Sequence, residues 1–291
     1  MLKHLNKNKK IPKRVLILGS NGFVSSSVQK RLINLKIKVI GLTRKKIDLS
    51  QKKSQEILSK IINHNDTILF VAAKAPVKNE KMLIKNLQIA LNICEVIKNK
   101  KIKHFIYLSS DAVYADSKKK LNENSKTIPE SLHGIMHLTR EIMLSQIKNL
   151  PLCIVRPTLI FGANDPHNGY GPNRFVRLAK QNKNINLFGN GEEKRDHVWI
   201  EDVSNIICHI ILRKSVGKIN IASGKVYSFY KLAKMINLIS KSSSKILPNP
   251  RIGPMPHNGY RPFNINNLKK SFPNIKISFF EKILSKIIKD Y

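Results

Sequence analysis

Two glycines, Gly19 and Gly22, directly follow an apolar β-branched segment at residues 14–18. The sequence Gly19-Ser20-Asn21-Gly22 joins this predicted strand to a predicted helix that begins at Phe23. Small residues allow a tight turn in which the backbone approaches a pyrophosphate. The helix that follows offers free N–H groups and the positive end of its dipole. Two glycines in this position therefore predict a dinucleotide-binding turn.

The second predicted strand, residues 38–42, ends without the acidic residue that would bind the ribose of NAD. Arg44 and Lys45 follow it instead. A guanidinium meets phosphate with two parallel donors, so Arg44 could hold the 2′-phosphate of NADP. In so basic a chain it could equally be a solvated cation. We expect NADP as the cofactor, with NAD as the alternative.

Short apolar segments alternate with helical patterns through the first half of the chain, as in a parallel sheet with crossover helices. The predicted fold class is α/β, a doubly wound parallel sheet (Rossmann) with a smaller C-terminal substrate-binding region. Further strands are predicted at residues 67–72, 104–108 and 152–155, and helices at residues 23–35 and 86–98. Residues 138–147 are predicted to lie within a further helix.

After Pro157 the sequence becomes rich in proline, glycine and asparagine, above all at residues 162–172 and 248–262. Loops of this composition and length are more often functional lids than plain connectors. We therefore expect a dinucleotide-binding Rossmann domain over residues 1–160 and a mostly substrate-binding region over residues 161–291. Segments of this region such as residues 202–221 are expected to pack back on the sheet.

The chain of 291 residues has 53 Lys and Arg against 18 Asp and Glu, a formal net charge of +35. Such a surface could bind nucleic acid, anionic lipid or phosphorylated substrates. The lysines are dispersed, however, and are not interleaved with aromatic residues. We therefore expect no specific nucleic-acid partner, while the charge favours an anionic substrate.

No apolar stretch approaches the roughly 20 residues that a membrane helix needs, and no signal-like segment is visible near the N-terminus. We expect a cytoplasmic protein without a membrane span. Cys94, Cys153 and Cys208 are far apart among apolar neighbours. They are interpreted as core residues, and no metal site is predicted.

The glycine turn opens an ordered series of motifs that resembles the extended short-chain dehydrogenase/reductase superfamily. Within it, the series is most similar to the NAD(P)-dependent sugar-nucleotide epimerase/dehydratase family. The resemblance covers roughly residues 14–285, and Ser25 stands where the family usually has a third glycine. The further matching motifs are Val71-Ala72-Ala73, Asn86, Leu108-Ser109-Ser110-Asp111-Ala112-Val113-Tyr114, Arg156-Pro157, Phe161-Gly162, Gly189-Asn190-Gly191, Arg195-Asp196-His197-Val198, Asp202-Val203 and Arg261-Pro262.

The resemblance implies a set of cofactor contacts at the turn and after the next strands. These residues are Gly19, Asn21, Gly22, Phe23, Val24, Arg44, Asp48, Leu49, Ala72, Ala73, Asn86 and His137.

The family's chemistry normally uses a Ser or Thr, a Tyr and a Lys. The Tyr exchanges a proton with the substrate oxygen while hydride moves to or from the nicotinamide. Here Ser110 matches the serine, but His133 stands at the tyrosine position and His137 at the lysine position. His133 could exchange the proton because imidazole titrates near neutrality, with His137 against the cofactor ribose. Alternatively the pair is inactive, and the protein is a non-catalytic dinucleotide-binding sensor or scaffold.

Asp111 is followed by Ala112, whereas dehydratases of the family have an Asp-Glu pair at this point. The missing second carboxyl argues against a dehydratase and leaves Asp111 as an additional catalytic candidate. The resemblance then implies an epimerase or 4-keto reductase that acts on a nucleotide-linked sugar, with polysaccharide biosynthesis as the expected context.

The substrate side is also implied by the resemblance. Arg195 and Arg261 match positions that bind the diphosphate, and Asn173 follows the glycine-rich lid. Leu159 stands where the family has a substrate asparagine, which leaves the sugar open. A homodimer is possible.

Overall fold

The computed structural model describes residues 2–291. Its strands are β1 (Lys3–His4), β2 (Val15–Leu18), β3 (Val39–Leu42), β4 (Thr67–Phe70), β5 (His104–Leu108), β6 (Leu152–Pro157), β7 (Leu159–Phe161), β8 (Ile185–Phe188), β9 (Lys194–Trp199), β10 (Ser215–Ile221), β11 (Val226–Ser228), β12 (Ile246–Asn249) and β13 (Tyr260–Arg261).

The α-helices are α1 (Phe23–Asn34), α2 (Ser54–Ile61), α3 (Glu80–Lys98), α4 (Leu132–Ser145), α5 (Pro172–Lys180), α6 (Ile200–Arg213), α7 (Phe229–Ser240), α8 (Asn266–Ser271) and α9 (Phe280–Asp290). Short 3₁₀ helices cover Asp111–Val113 and Pro256–Gly259.

The chain divides into two compact units. The first comprises the residues up to Ala115 together with Ser125–Pro157 and Ser204–Asn220. The second comprises Asp116–Asn124, Thr158–Val203 and Ile221–Tyr291.

The first unit is built on a seven-stranded sheet with the order β1-β10-β6-β5-β4-β2-β3. From β3 to β6 the neighbouring strands are parallel, and every residue of β2 and β4 is buried. Strands that are covered on both faces need continuous apolar sequence, which these segments have. The predicted α/β fold with a Rossmann-type parallel sheet is confirmed.

β2 lies between β3 and β4 in the sheet, so the chain passes from β2 to β3 on one side and then crosses back over β2 to β4 on the other. This reversal is a topological switch point at β2. Successive crossovers from β2 and β3 therefore run in opposite directions along the sheet. Ligands of open α/β sheets bind beyond the carboxyl ends of the strands at such a point.

α3 begins earlier than the sequence pattern predicts, whereas for α4 the sequence only placed residues 138–147 within the helix. α3 begins at Glu80, where Asn79 caps it by accepting a hydrogen bond from the backbone N–H of Met82. α4 begins at Leu132, where the Ser131 hydroxyl accepts from the N–H of Gly134. Apolar periodicity marks the packed part of a helix, whereas side-chain caps set its first residue.

The second unit contains a four-stranded sheet in which β9 pairs with β7, β11 and β13, and a two-stranded sheet of β8 and β12. Its apolar core joins α5, α7 and α9 through side chains such as Phe175, Leu232 and Leu284. None of the helices formed by residues 2–291 has the length and apolar content needed to cross a bilayer.

Candidate active site

The glycine turn after β2 places two strand ends in contact. Gly19 has a φ of +91°, and a Cβ at this position would lie 2.7 Å from the Cα of Ala72, which follows β4. Residues with a side chain rarely adopt this conformation, and the contact leaves no room for one. The fold itself therefore requires glycine at position 19.

Ser25, at the place of the family's usual third glycine, is fully buried. Its hydroxyl donates to the carbonyl oxygen of Gly19 at 2.7 Å and lies 3.0 Å from that of Gly22. Ser25 therefore ties the first turn of α1 to the glycine turn. Gly22 is the N-cap of α1 and has no side chain to act as an acceptor. The backbone N–H groups of the first turn, which begins with Phe23 and Val24, are therefore not capped by a side chain.

A cavity of about 310 Å³ opens at this turn, at the carboxyl ends of β2 and β4. Its volume lies at the lower end of the range for small-molecule sites. Eight of the cofactor residues named from the sequence line it: Gly19, Asn21, Gly22, Arg44, Asp48, Leu49, Ala72 and Ala73. Leu42, Thr43, Ile47, Val71, Lys74, Lys85 and Ile89 complete the lining.

Two of the cations that line this cavity lie near its one carboxylate. Arg44 Nε lies 3.6 Å and Lys85 Nζ lies 3.9 Å from Asp48 Oδ2. A hydrogen bond from the Ser50 hydroxyl, with weaker contributions from Lys85 and Arg44, lowers the pKa of Asp48. The Arg44 side chain is 69% exposed and has room to meet an anion.

Asn86, predicted to contact the cofactor, is fully buried. Its side-chain amide bonds the backbone N–H and carbonyl of Lys74 and the carbonyl of Met82. The structure thus uses Asn86 to hold the Lys74 segment, which lines the cavity, against α3.

The predicted catalytic residues of the first unit lie where α4 packs on the 3₁₀ helix Asp111–Val113. The Ser110 hydroxyl caps this short helix by accepting from the N–H of Ala112. At Gly134 a Cβ would lie 2.1 Å from the carbonyl oxygen of Ala112. The absence of a side chain at position 134 thus allows the first turn of α4, which carries His133, to approach the segment that carries Ser110 and Asp111.

His133 and His137 make a T-shaped ring contact with centroids 4.7 Å apart. Burial lowers the pKa of His133, Asp111 opposes this, and Arg140 adds to it. His133 Nδ1 is buried and has no hydrogen-bond partner among residues 2–291. An imidazole with a lowered pKa is neutral at pH 7 and able to accept a proton.

His137 lies deeper than the sequence-based role at the ribose implies. It is buried, and its Nδ1 shares a 2.8 Å hydrogen bond with the hydroxyl of Tyr107 in β5. Burial, followed by His133 and Arg140, lowers the pKa of His137 well below its usual value. Position 137 therefore holds a neutral ring where the family motif would hold a cation.

A buried ion pair fixes α4 to the sheet beside these residues. The Glu141 carboxylate accepts two hydrogen bonds from Arg156 of β6, at 2.8 and 2.5 Å, and one from the Ser109 hydroxyl. Such a bidentate pair has a defined geometry. It holds the segment directly before Ser110 against the helix that carries His133.

In the second unit, Arg195 of β9 and Arg261 of β13 are register partners on neighbouring parallel strands. Their side chains therefore leave the sheet on the same face. Arg195 lies 3.2 Å from Glu193, and Arg261 lies 2.9 Å from Asp116. The structure brings together the two arginines that the resemblance assigns to a diphosphate, and it places a carboxylate beside each.

Asn173, the third predicted substrate residue, lies in the first turn of α5 and is buried. Its Oδ1 accepts from the backbone N–H of Gly162 and the hydroxyl of Tyr291, and its Nδ2 donates to Asp165. The side chain thus holds the segment that contains Gly162 and Asp165 to α5.

The sequence from residue 15 to residue 222 matches the model of the NAD dependent epimerase/dehydratase family. The matched residues include the glycine turn, Ser110 and both histidines. The chain belongs to this family. The resemblance of the sequence motifs to the sugar-nucleotide epimerase/dehydratase family is thereby confirmed.

Individual proteins are similar to the chain in sequence or in fold. The chain is 24% identical over 279 residues to an uncharacterised UDP-glucose epimerase of Bacillus subtilis (strain 168), covering 84% of this chain and 88% of that protein. The structure of a UDP-glucose 4-epimerase from Thermus thermophilus in complex with NAD matches with a TM-score of 0.82 and 19% identity, over 95% of this chain and 98% of that chain.

A GDP-L-fucose synthetase from Naegleria fowleri bound to NADP matches with a TM-score of 0.83 and 13% identity, over 99% of this chain and 96% of that chain. At these identities the two structures show a shared fold.

Within this epimerase/dehydratase fold, sequence reasoning missed Lys85, Tyr107 and Arg140. Lys85 directly precedes Asn86 in the chain, and this adjacency was the available signal. Tyr107 and Arg140 lie within apolar patterns that indicate core, and nothing in those patterns shows that the two side chains reach the candidate site. In the described part of the chain, no cluster of three or more His, Cys, Asp or Glu is arranged to hold a metal ion.

Proposed function

We propose that this member of the epimerase/dehydratase family is an NAD(P)-dependent enzyme that acts on a nucleotide-linked sugar, as an epimerase or 4-keto reductase. The observation that carries the proposal is the cavity at the glycine turn, which eight predicted cofactor residues line. The named activity of the Bacillus relative, a UDP-glucose epimerase, supports the substrate class.

The cavity fits a dinucleotide in its chemistry. Backbone at Gly19 and Gly22 and the uncapped start of α1 offer N–H groups to a pyrophosphate. Asp48 offers an acceptor for the adenosine ribose, and the exposed Arg44 offers a donor for a phosphate on that ribose. We propose NADP as the preferred cofactor, with Arg44 on its 2′-phosphate. The nicotinamide of such a cofactor supplies the hydride chemistry.

We assign His133 to proton exchange with the substrate oxygen and Ser110 to hydrogen bonding of the same substrate. His133 is suited to this because burial keeps it neutral, while Asp111 acts to stabilise its protonated form. Asp111 thereby limits the rise in free energy when the imidazole takes up a proton.

We further propose that the first unit, which contains most of residues 1–160, is the dinucleotide-binding part of the enzyme. The second unit, which contains most of residues 161–291, would bind substrate. Arg195 and Arg261 lie on one face of the sheet in the second unit, a disposition suited to two phosphates.

A second candidate function is supported by the environment of His137. Its ring is buried and its Nδ1 is engaged by Tyr107, so this position does not present a charge as the family's lysine would. A protein that binds dinucleotide without turnover, as a sensor or scaffold, is consistent with that arrangement.

We also propose that the protein forms a homodimer through α3 and α4, which pack against each other. Ile84 and Leu91 on α3 and Ile135 and Ile142 on α4 are exposed at two-turn spacing. Light scattering coupled to size-exclusion chromatography would give twice the chain mass for the parent and a single mass for Ile142→Glu. A monomeric parent would exclude the dimer.

One experiment separates the two candidate functions. Purified protein is titrated with NAD and NADP, and the complex is then incubated with a panel of nucleotide-linked sugars. Nicotinamide absorbance and the sugar products are followed. An enzyme converts at least one sugar, and a sensor binds dinucleotide without converting any. Absence of dinucleotide binding would contradict both.

A further inference from the structure

Arg140 of α4 is a fully buried cation without a carboxylate partner among residues 2–291. Its guanidinium donates to the carbonyl oxygens of Asn86, at 2.6 and 3.1 Å, and Ala72, at 3.0 Å, and to Asn86 Oδ1, at 3.0 Å. By contrast, the buried Arg156 pairs with Glu141. A buried charge that only neutral acceptors compensate is costly, so Arg140 calls for a role beyond packing.

The position of Arg140 indicates that role. It follows His137 by three residues on α4, so the two side chains are neighbours on the helix surface. Its guanidinium lies 5.0 Å from the ring centroid of Phe70, the last residue of β4. The cation that the family motif places at position 137 is therefore present here one turn later, beside a neutral His137.

We propose that Arg140 replaces the missing lysine as the cation of this site and acts as a positioning residue for both the cofactor cavity and His133. The consequence for catalysis rests on the proposed function. The positioning itself depends only on contacts within the first unit.

The first effect of Arg140 is mechanical. Ala72 lines the cavity, and Asn86 holds the Lys74 segment that also lines it. Because one guanidinium bonds both Ala72 and Asn86, it fixes the segment after β4 to α3. Only a planar group with several donors can bond these acceptors at once.

The second effect is electrostatic. The charged and titratable groups around His133 are Asp111 from the 3₁₀ helix, and His137 and Arg140 from α4, with Tyr107 of β5 behind His137. Arg140 disfavours a second positive charge nearby, and Asp111 favours one. Burial is the main cause of the lowered pKa of His133, and Arg140 adds to it, which favours the neutral, proton-accepting form at neutral pH.

The test is a histidine titration by NMR of the protein without added cofactor, with His133→Gln used to assign the resonance. In the parent, His133 should titrate below the ordinary histidine value of about 6.5. In Arg140→Gln, its pKa should move upward because a nearby positive charge is lost. In Arg140→Lys, the pKa should stay near the parent value because the charge is kept.

Dinucleotide affinity provides the second readout. Arg140→Lys should bind dinucleotide roughly tenfold more weakly, because an ammonium group cannot bond Ala72 and Asn86 in the same fork geometry. Arg14→Gln is the matched control, since Arg14 is a partly buried arginine whose guanidinium pairs with Asp66. This control should lose stability and leave both the His133 titration and the affinity unchanged.

The proposal is overturned if His133 titrates at the same pH in the parent and in Arg140→Gln, or if Arg140→Lys shifts the titration as far as Arg140→Gln does. Should Arg140→Gln fail to fold, Arg140→Lys decides: a dinucleotide affinity equal to that of the parent in this variant would contradict the inference. A protein with the expected titrations but without turnover would retain this inference and lose the proposed enzymatic function.

Discussion

Gly19 and Ala72 approach each other so closely that a single added methyl at Gly19 would lie 2.7 Å from the Ala72 Cα. Replacing Gly19 therefore tests the fold rather than the ligand. Gly22 differs, because its φ is −79° and the nearest atom to an added Cβ is the Ser25 hydroxyl oxygen at 3.3 Å. This difference separates stability from binding at the same turn.

Gly22→Ala should therefore leave the melting temperature close to that of the parent but weaken dinucleotide binding by roughly tenfold or more. The methyl group would stand in the turn proposed to hold the phosphate, with the Ser25 hydroxyl oxygen 3.3 Å away, and should cost a hydrogen bond to that phosphate, a loss of about 1.5–3 kcal/mol. Gly19→Ala, the control, should lower the melting temperature. Thermal unfolding measures the stability and calorimetric titration measures the affinity. Unchanged affinity in a folded Gly22→Ala variant would contradict the assignment of the pyrophosphate to this turn.

Cofactor choice depends on Arg44 in our proposal. Arg44→Ala should weaken NADP binding by about 1.5–3 kcal/mol and leave NAD nearly unaffected, because only NADP carries the 2′-phosphate. Lys45→Ala is the matched control, as Lys45 is the adjacent exposed cation and Arg44 is the one that lines the cavity. Equal losses for the two dinucleotides in Arg44→Ala would contradict the NADP assignment.

His133 should control the pH dependence of turnover. Its pKa is lowered, so the proton-accepting form is present above that pKa, and activity should decline as the pH falls through it. His133→Phe should abolish turnover and keep dinucleotide affinity, because the ring is assigned to the substrate. Steady-state rates across pH and a binding titration give the answer. Parent-like turnover in His133→Phe would transfer the proton role to Ser110, Asp111 or water.

Buried histidines should make the protein acid-sensitive. Burial lowers the pKa of His104 to about 4, and its Nε2 bonds the carbonyl of Ser215. Below about pH 6.5 the unfolded chain binds a proton that the folded chain does not, so stability falls from there towards pH 4. The contribution of His104 is on the order of 3 kcal/mol.

His104→Gln should therefore flatten the decline of melting temperature between pH 7 and pH 4, although it lowers stability at pH 7. The exposed His64, changed to Gln, serves as the control and should leave the slope unchanged. Equal slopes for the parent and His104→Gln would show that other groups, such as His137, dominate the acid response.

The sequence by itself determined the local features of this protein. The apolar segment that ends at Leu18 had to be a covered strand, and the small residues after it predicted a phosphate-binding turn, because both depend on neighbouring residues alone. The parallel α/β fold followed from the alternation of strand and helix patterns. The start of α3 was misplaced, because the cap at Asn79 depends on an individual side-chain hydrogen bond.

Only the tertiary structure decided what each functional side chain does. Asn86 lies at a motif position and Asn173 follows the glycine-rich lid, yet the amides of both bond protein backbone and side chains. Arg261 is paired with Asp116, 145 residues away. Arg140 looks like an ordinary residue in an amphipathic helix until the fold places the carbonyls of Ala72 and Asn86 around it. Charge compensation and pKa depend on distances between residues far apart in the chain, and those distances exist only once the chain has folded.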